Sequence, residues 1–233
     1  HMTRHVLLDN VEHRDLRVDV AHQGGPGGDV MMVPTFPAEF RRIQACYPIV
    51  YRQTTQATFA PMALLGFREG QNLFVKDGRW DVDYMPLFLA RQPFLIGEDV
   101  EGRPVMHIDL DHPAVGTVKG EPLFLEHGGQ SDLLMRANSM LRVLHEGAQA
   151  TPAFVESLQR LELLEPLALE VPCGHDERLR VTGLHVIDEE RLRQLDGDAL
   201  EVLHRQGCLQ AIYMCLASLS RIPDMIDRFN GHG

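Results

Sequence analysis

The stretch of sequence that says most about the fold runs from Tyr47 to Phe94 and reads YPIVYRQTTQATFAPMALLGFREGQNLFVKDGRWDVDYMPLFLARQPF. Its apolar runs are punctuated by Gly and Pro, which is typical of short strands joined by turns. The pair Asp77-Gly78 stands between two apolar runs and favours a tight hairpin turn. The regular elements predicted in this stretch are strands at 47–51, 59–67 and 93–96 and a short helix at 84–90.

Shorter patterns flank this stretch. Apolar and charged residues alternate at 16–20, which predicts a half-buried strand. The glycines at 24–28 predict a flexible loop, and they lack the Lys-Ser/Thr pair that a nucleotide phosphate loop requires. The other elements predicted before residue 130 are strands at 29–33, 105–110 and 121–125 and a helix at 37–45.

The hydrophobic period changes after Ser131. Apolar residues recur at spacings of three and four over 132–146, which predicts an amphipathic helix. Thr151-Pro152 suits the cap and first position of a second helix. Asp188 is expected to cap a short helix at 189–195. The remaining predicted elements are an antiparallel strand pair at 167–171 and 179–186, turning at 174–176, and helices at 198–205 and 208–221.

The order of these elements predicts the fold class. Mostly antiparallel strands occupy the N-terminal half, and helices that pack on the sheet occupy the C-terminal half. This order is typical of an α+β protein and differs from the alternation of doubly wound α/β folds. The 233 residues suit a single domain over 1–233, with a candidate seam in the loop at 112–120.

The charge balance excludes one class of partner. The formal net charge is −11, with only 22 Lys plus Arg against 33 Asp plus Glu. The basic residues are scattered, whereas binding to a phosphate backbone requires clustered cations. Nucleic acid is therefore not an expected partner. No apolar run approaches the roughly 20 residues of a membrane helix, and no signal peptide is visible, so we expect a cytoplasmic protein without membrane insertion.

The four cysteines form no C-x-x-C pair, so neither a zinc ribbon nor a dithiol redox motif is expected. Cys208 and Cys215 share a face of the last predicted helix about two turns apart, too far for a disulfide. The pattern predicts free, mostly buried thiols in a reducing compartment. We find no G-x-S-x-G nucleophile motif, and nothing in the sequence supports a Cys–His pair at Cys46.

The stretch from Tyr47 to Phe94 resembles the bacterial SapC family. The resemblance is carried there by the runs 47–51, 63–67, 70–75, 78–80, 84–87 and 91–94. It continues in the C-terminal part with the runs 183–188, 207–209 and 218–219 and with Leu192, Leu195 and Leu203. The resemblance implies a bacterial protein whose family takes its name from a surface-array context, distinct from the membrane permease of the same name. It implies no catalytic residue that can be transferred to this chain.

The leading candidate site lies in the same stretch. Trp80 is the single tryptophan, and aromatic rings beside Arg and Asn combine flat apolar surface with oriented hydrogen-bond donors. Such a surface suits a sugar, a peptide or an aromatic amino acid. The competing interpretation is that the rings fill the core and the arginine pairs locally. The candidate ligand-binding residues are Asn72, Phe74, Trp80, Tyr84 and Arg91.

A second candidate is His107-Ile108-Asp109, because residues two apart on a strand point to the same side. With a later histidine, His127 or His185, they would form the facial triad of a non-haem Fe(II) oxygenase. The competing interpretation is a chance pair, and the helical C-terminal half does not fit the double sheet of such enzymes. Asp109 and Asp111 lack the spacing of a calcium loop and predict a solvated strand end.

Three functions follow from these patterns. The first is a non-catalytic binding or accessory protein for a peptide, sugar or protein partner, without a cofactor, which the family resemblance would place in bacterial envelope or nutrient-uptake metabolism. The second is an Fe(II)-dependent oxygenase that uses His107 and Asp109, so the sequence leaves open whether the protein is an enzyme. The third is a structural homo-oligomer, because the apolar helix at 208–222 suits either the core or a homodimer interface.

Overall fold

The computed structural model describes residues 4–20, 29–55, 57–174 and 177–231. Its strands are β1 (His5–Leu7), β2 (Arg17–Val18), β3 (Met32–Pro34), β4 (Ile49–Gln53), β5 (Phe59–Leu64), β6 (Val75–Lys76), β7 (Arg79–Trp80), β8 (Phe94–Glu98), β9 (Pro104–Asp109), β10 (Val115–Gly116), β11 (Glu121–Pro122), β12 (Leu164–Pro166), β13 (Leu169–Cys173), β14 (Glu177–Val181) and β15 (Leu184–Ile187). Its helices are α1 (Phe40–Ile43), α2 (Leu87–Ala90), α3 (Asp132–Arg160), α4 (Glu189–Arg193), α5 (Gly197–Arg205), α6 (Cys208–Ser218) and α7 (Ile222–Phe229), with a 3-10 turn at Leu219–Arg221. Helices and antiparallel sheets with most strands before residue 130 confirm the α+β class.

The contacts divide the chain into two compact units. The first unit comprises residues 1–27 and 87–146, and the second comprises residues 28–86 and 147–233. The predicted seam at 112–120 lies inside the first unit and does not coincide with this division. That the whole chain folds as one domain stays a prediction. The glycine-rich loop predicted at 24–28 lies outside the described residues.

The first unit is built from two small antiparallel sheets and the first part of α3. One sheet has the order β1-β9-β8, and the other has the order β10-β2-β11. In the first sheet Val6, Ile108 and Phe94 stand opposite one another, so they share a face. Ile108 and Phe94 are fully buried with Leu134 of α3. The core of this unit therefore lies between that sheet and the apolar side of α3.

The second unit is built on a five-stranded antiparallel sheet with the order β12-β15-β4-β5-β3. The sequence predicted that 179–186 forms one long strand of a hairpin, and this is wrong. Gly183 has φ +81° and divides the run into β14, which pairs with β13, and β15, which pairs with β4 and β12. Tyr47, Tyr51, Phe40, Ile43 and Leu158 are fully buried in this unit.

Helix α3 corrects a second prediction. The sequence predicted two helices, with a break before Thr151-Pro152, but a single helix continues from Asp132 to Arg160. Pro152 costs one backbone hydrogen bond, and the Thr151 hydroxyl donates to the Gly147 carbonyl at 2.7 Å. Burial of Phe154 beyond the proline contributes the packing that outweighs this local loss.

Side-chain caps begin two helices in the C-terminal part of the chain, and one of these caps was predicted from the sequence. Asp188 caps α4 as predicted, because its side chain accepts from the Arg191 N–H at 2.8 Å. Asp196 caps α5 in the same way, accepting from the Ala199 N–H at 2.9 Å. The last predicted helix is shorter than expected, since α6 ends at Ser218 and α7 follows the 3-10 turn with Pro223 in its first turn.

Candidate functional site

Trp80 is presented by the hairpin of β6 and β7. Asp77 and Gly78 have φ of 52° and 73°, the left-handed values that a two-residue hairpin turn of the primed type requires. The predicted Asp-Gly turn is therefore confirmed. Val75 stands opposite Trp80, and Lys76 stands opposite Arg79. Trp80 and its two cationic neighbours are thus positioned by local turn chemistry.

The polar edge of the Trp80 indole is held by the protein. Its Nε1–H donates to the Tyr47 hydroxyl at 2.9 Å and to the Tyr84 carbonyl at 3.1 Å. The Tyr47 hydroxyl also donates to that same Tyr84 carbonyl. A tryptophan buried at one edge needs such a partner for its N–H. Because the N–H is occupied, the half-buried ring offers a partner its apolar surface.

Tyr84 links this group to a buried carboxylate. Its hydroxyl donates to Glu39 Oε1 at 2.9 Å, and the Thr35 hydroxyl donates to Glu39 Oε2 at 2.8 Å. Glu39 is only 3% exposed, so these charge-assisted bonds offset part of the cost of burying its charge. The Arg42 guanidinium lies 5.4 Å from the centre of the Tyr84 ring. A chain of hydrogen bonds and a cation–π contact therefore fixes Tyr84.

Both tyrosines act as hydrogen-bond donors. Burial raises the pKa of Tyr47 far above its ordinary value. Burial, followed by the neighbouring Glu39 carboxylate, raises the pKa of Tyr84 in the same direction. Both phenols consequently stay protonated at neutral pH, which suits a structural network and does not suit a catalytic base.

Asn72 and Phe74 lie beneath the surface of the second unit. Asn72 is 8% exposed and Phe74 is 3% exposed. The Asn72 Oδ1 accepts from the Phe74 N–H at 2.9 Å, and the Phe74 ring packs edge-on against Tyr47 at 4.7 Å. The Arg228 guanidinium lies over the Phe74 ring at 5.1 Å. These two predicted site residues therefore support the hairpin from within.

Arg91 belongs to the first unit, whereas the other four predicted residues belong to the second. Its Nη1 donates to the Phe94 carbonyl at 2.7 Å, and its guanidinium lies 4.8 Å from the centre of the Phe88 ring. Burial lowers the pKa of Arg91. The structure thus supports the local pairing of Arg91 that the sequence left open, and a role for Arg91 in ligand binding stays a prediction.

A surface depression of about 540 Å³ lies beside the hairpin and is lined by Lys76, Asp77, Arg79, Trp80 and Asp81. The Asp81 carboxylate is held by Arg228 Nη1 at 2.8 Å. The sequence reasoning missed Lys76, Asp81 and the supporting Tyr47. A hairpin register could have found Lys76, because it places Lys76 directly opposite Arg79. Residues 28–86 carry six acidic and six basic side chains, so the sequence around the depression lacks the acidic excess of the whole chain.

The second candidate, His107 and Asp109, does not form a metal centre with the described residues. The two side chains share a face of β9, but the His107 imidazole packs on Gly97, where an added Cβ would lie 2.6 Å from its Nε2. Asp109 Oδ2 instead lies 4.0 Å from His5 Nε2. His185 belongs to the second unit and packs against Phe59. Among the described residues no group of three or more His, Cys, Asp or Glu could hold a metal ion. The side chains present do not fit the Fe(II) triad.

The cysteines are free thiols, as predicted. Cys208 and Cys215 are buried, and Cys46 and Cys173 are partly exposed. The Cys215 Sγ lies 3.2 Å from the Tyr51 hydroxyl, and burial raises the pKa of Cys215 to about 12. Burial, followed by the charge of Asp83, raises the pKa of Cys46. Neither thiol is activated as a nucleophile by these surroundings.

Helix α6 serves mainly as core of the second unit. It buries Cys208, Ala211, Ile212, Cys215 and Ser218, and Ser218 Oγ accepts from the Ile49 N–H of β4 at 2.8 Å. Tyr213 is 55% exposed on the opposite side of the helix. A homodimer through 208–222 stays a prediction, which light scattering over a range of protein concentrations would check.

The protein is thus an α+β chain of two compact units. On the second unit, a hairpin carries Trp80, whose indole N–H is hydrogen-bonded to Tyr47 and Tyr84. The family model SapC matches residues 8–225, so the chain belongs to the SapC family. No curated protein and no solved structure matches the chain. No helix in the described part of the chain is both long and apolar enough to cross a membrane.

Proposed function

We propose that the protein is a non-catalytic binding protein whose second unit binds a sugar-like, polyhydroxylated ligand at the Trp80 hairpin. The observation that carries this proposal is the anchoring of the Trp80 N–H to Tyr47 and Tyr84. An indole fixed by its polar edge presents its apolar ring without losing side-chain freedom on binding, and such preorganisation favours affinity. The C–H face of a pyranose ring is a flat apolar surface that matches it.

The charges around the ring support the same ligand class. Lys76 and Arg79 supply hydrogen-bond donors, and Asp77 and Asp81 supply acceptors. A sugar hydroxyl can both donate and accept, so it can pair with either kind of group. Because the lining contains both signs, it gives no preference to a strongly anionic or cationic ligand. Within the SapC family, this ligand would suit an accessory role in bacterial envelope or nutrient-uptake metabolism.

A fluorescence titration tests the proposal directly, since Trp80 is the only tryptophan. Neutral and amino-substituted mono- and oligosaccharides would be titrated while the emission maximum and intensity are recorded. We expect a saturable change for at least one saccharide. Calorimetry with that saccharide should then show weaker binding by the Arg79→Gln variant, by roughly 10- to 150-fold for a lost hydrogen bond from a charged group.

A matched control comes from the β13–β14 hairpin of the second unit. Arg180 is an exposed arginine on β14, and Arg180→Gln should bind the saccharide as the unaltered protein does. If no saccharide changes the Trp80 emission, or if both arginine variants lose affinity equally, the hairpin is not the sugar site that we propose.

A further inference from the structure

A furrow runs along helix α3 in the first unit. It consists of two adjoining depressions of about 420 and 170 Å³, which share Val105, Met106 and Asn138 in their linings. The α3 side of the furrow is formed by Leu134, Asn138, Leu141 and His145. Spacings of four, three and four residues place these four side chains on one face of the helix.

The furrow is long enough for an extended segment of chain. Leu134 and His145 lie eleven positions apart within α3, which is about 16 Å at 1.5 Å per residue. An extended peptide advances about 3.3 Å per residue. The α3 side therefore spans about five residues of an extended ligand.

The lining combines an apolar floor with carboxamides. Ile96, Met106 and Leu141 pack in or against the core of the first unit. Asn138 is exposed and lines both depressions, and Asn10 and Gln130 line the larger one. Asn10 is held in place because its Nδ2 donates to the Gly128 carbonyl at 3.2 Å.

These groups favour a peptide over other elongated ligands. A carboxamide carries both N–H donors and a carbonyl acceptor, so it can pair with the N–H and the C=O groups of a peptide main chain. An acyl chain would remove water from Asn138 without replacing its hydrogen bonds, which is costly. A saccharide would favour a broad, flat aromatic surface, whereas most of the side chains that line the two depressions are aliphatic or carboxamide groups.

The charged side chains at the two ends of the furrow favour one orientation of the ligand. Arg142 lines the smaller depression, and its guanidinium makes an exposed ion pair with Glu146 at 3.7 Å. Exposed pairs of this kind contribute little free energy, so Arg142 can exchange Glu146 for a carboxylate of a ligand. In the larger depression the Asp9 Oδ1 already accepts from the N–H groups of Val11 and Glu12 at 2.7 and 2.9 Å. An acidic group is thus favoured at the Arg142 end.

We propose that this furrow binds an extended peptide segment of a partner protein, about five residues long. Its apolar side chains would contact Met106 and Leu141, and its main chain would pair with Asn138. An acidic side chain or a terminal carboxylate would pair with Arg142. This site lies in the first unit and is independent of the Trp80 hairpin in the second.

Parallel selection of peptides tests the proposal. A phage-displayed library of random octapeptides would be panned against the full chain and against Asn138→Trp, which fills both depressions from an exposed helix position and spares the core. We expect the unaltered protein alone to enrich apolar sequences with Asp or Glu near one end. The enriched peptide, labelled with fluorescein, should bind Asn138→Trp at least about tenfold more weakly, equivalent to about 1.4 kcal/mol.

Two further variants distinguish the contribution of the Arg142 charge to peptide binding from a loss of binding caused by unfolding. Arg142→Gln should lose the preference for the acidic peptide over its lysine-ended counterpart. Arg136→Gln removes another exposed arginine of α3 that does not line either depression, and it should bind as the unaltered protein does. Enrichment of the same sequences by both panned proteins, or of none, would overturn the proposal. Displacement of the peptide by a fluorescent fatty acid with higher affinity would assign the furrow to an acyl chain instead.

Discussion

The Trp80 indole and the Tyr47 hydroxyl are joined by a hydrogen bond of 2.9 Å between residues that lie 33 positions apart. Tyr47 is fully buried, whereas Trp80 remains half-exposed on its hairpin. The bond therefore ties a surface ring to the core of the second unit. It explains how a hairpin of two two-residue strands, which would be marginal in isolation, can present a rigid aromatic surface.

Tyr47→Phe tests this tie. The substitution removes the acceptor for the Trp80 N–H and the donor to the Tyr84 carbonyl while it keeps the ring. We expect a loss of about 1–2 kcal/mol in the free energy of unfolding, measured by urea denaturation, and a red shift of Trp80 emission. Tyr213→Phe removes an exposed hydroxyl instead and should change stability by less than about 0.5 kcal/mol. Equal stabilities for the two variants would contradict the bracing role of Tyr47.

Gly147→Ala tests the packing that lets α3 continue through residue 147. Alanine normally favours a helix by about 1 kcal/mol over glycine. A Cβ at Gly147, however, would lie 2.3 Å from the Phe36 ring, so overpacking should prevail and destabilise the protein by about 1–3 kcal/mol. Thermal and urea unfolding would measure the difference.

The matched control for that variant is Gly197→Ala at the start of α5. A Cβ there would meet no atom within 4 Å, so this alanine should be neutral or slightly stabilising. If Gly147→Ala were as stable as Gly197→Ala, close packing of α3 on Phe36 would be excluded.

Local signals explain which parts of the fold the sequence predicts. The Asp77-Gly78 turn and the Asp188 cap depend on neighbouring residues alone, and both were predicted correctly. The position of β15 beside β4 depends on the pairing of His185 with Tyr51, over a hundred residues away. No local pattern specifies such a register, because it is set by burial across the whole sheet.

The candidate site shows the same limit. Trp80 and Tyr84 could be proposed from the sequence because rare residue types mark them, and the hydrogen bond from the Trp80 N–H to the Tyr84 carbonyl brings them together. Their role in binding a ligand stays a prediction. Tyr47 was missed because its link to Trp80 exists only in the folded chain. Arg91 was included because it is near in sequence, yet its hydrogen bond goes to Phe94 in the other unit. Closeness in sequence therefore did not predict which of the two units each residue belongs to.

Thiol labelling tests the burial of α6 in the second unit. Cys208 and Cys215 are buried, and the pKa of Cys215 is about 12 because burial disfavours its thiolate. We expect iodoacetamide at pH 8 to modify both residues at least about 100-fold more slowly in the native protein than in urea, as read by peptide mass spectrometry. Cys173 is the internal control, since it is partly exposed and should react in both states. Rapid native labelling of Cys215 would show that α6 is not packed as described.

His112 makes the stability of the first unit depend on pH. Burial lowers the pKa of His112, and the nearby Asp109 carboxylate only partly opposes that effect. The folded state therefore binds fewer protons than the unfolded state. The contribution of His112 to stability is full above the unfolded-state pKa of about 6.5 and is lost as the pH falls through the lower folded-state value. The local geometry agrees with this direction, because His112 Nδ1 accepts from the Ala114 N–H at 3.1 Å and a protonated Nδ1 cannot accept.

His112→Gln should accordingly be less stable than the unaltered protein at pH 8, and the difference should shrink as the pH falls below about 6.5. Urea unfolding at several pH values between about 4.5 and 8 would measure both curves. His127→Gln replaces an exposed histidine of the same unit and should leave the pH dependence unchanged. A difference between His112→Gln and the unaltered protein that stays constant across this range would mean that His112 does not resist protonation in the folded state.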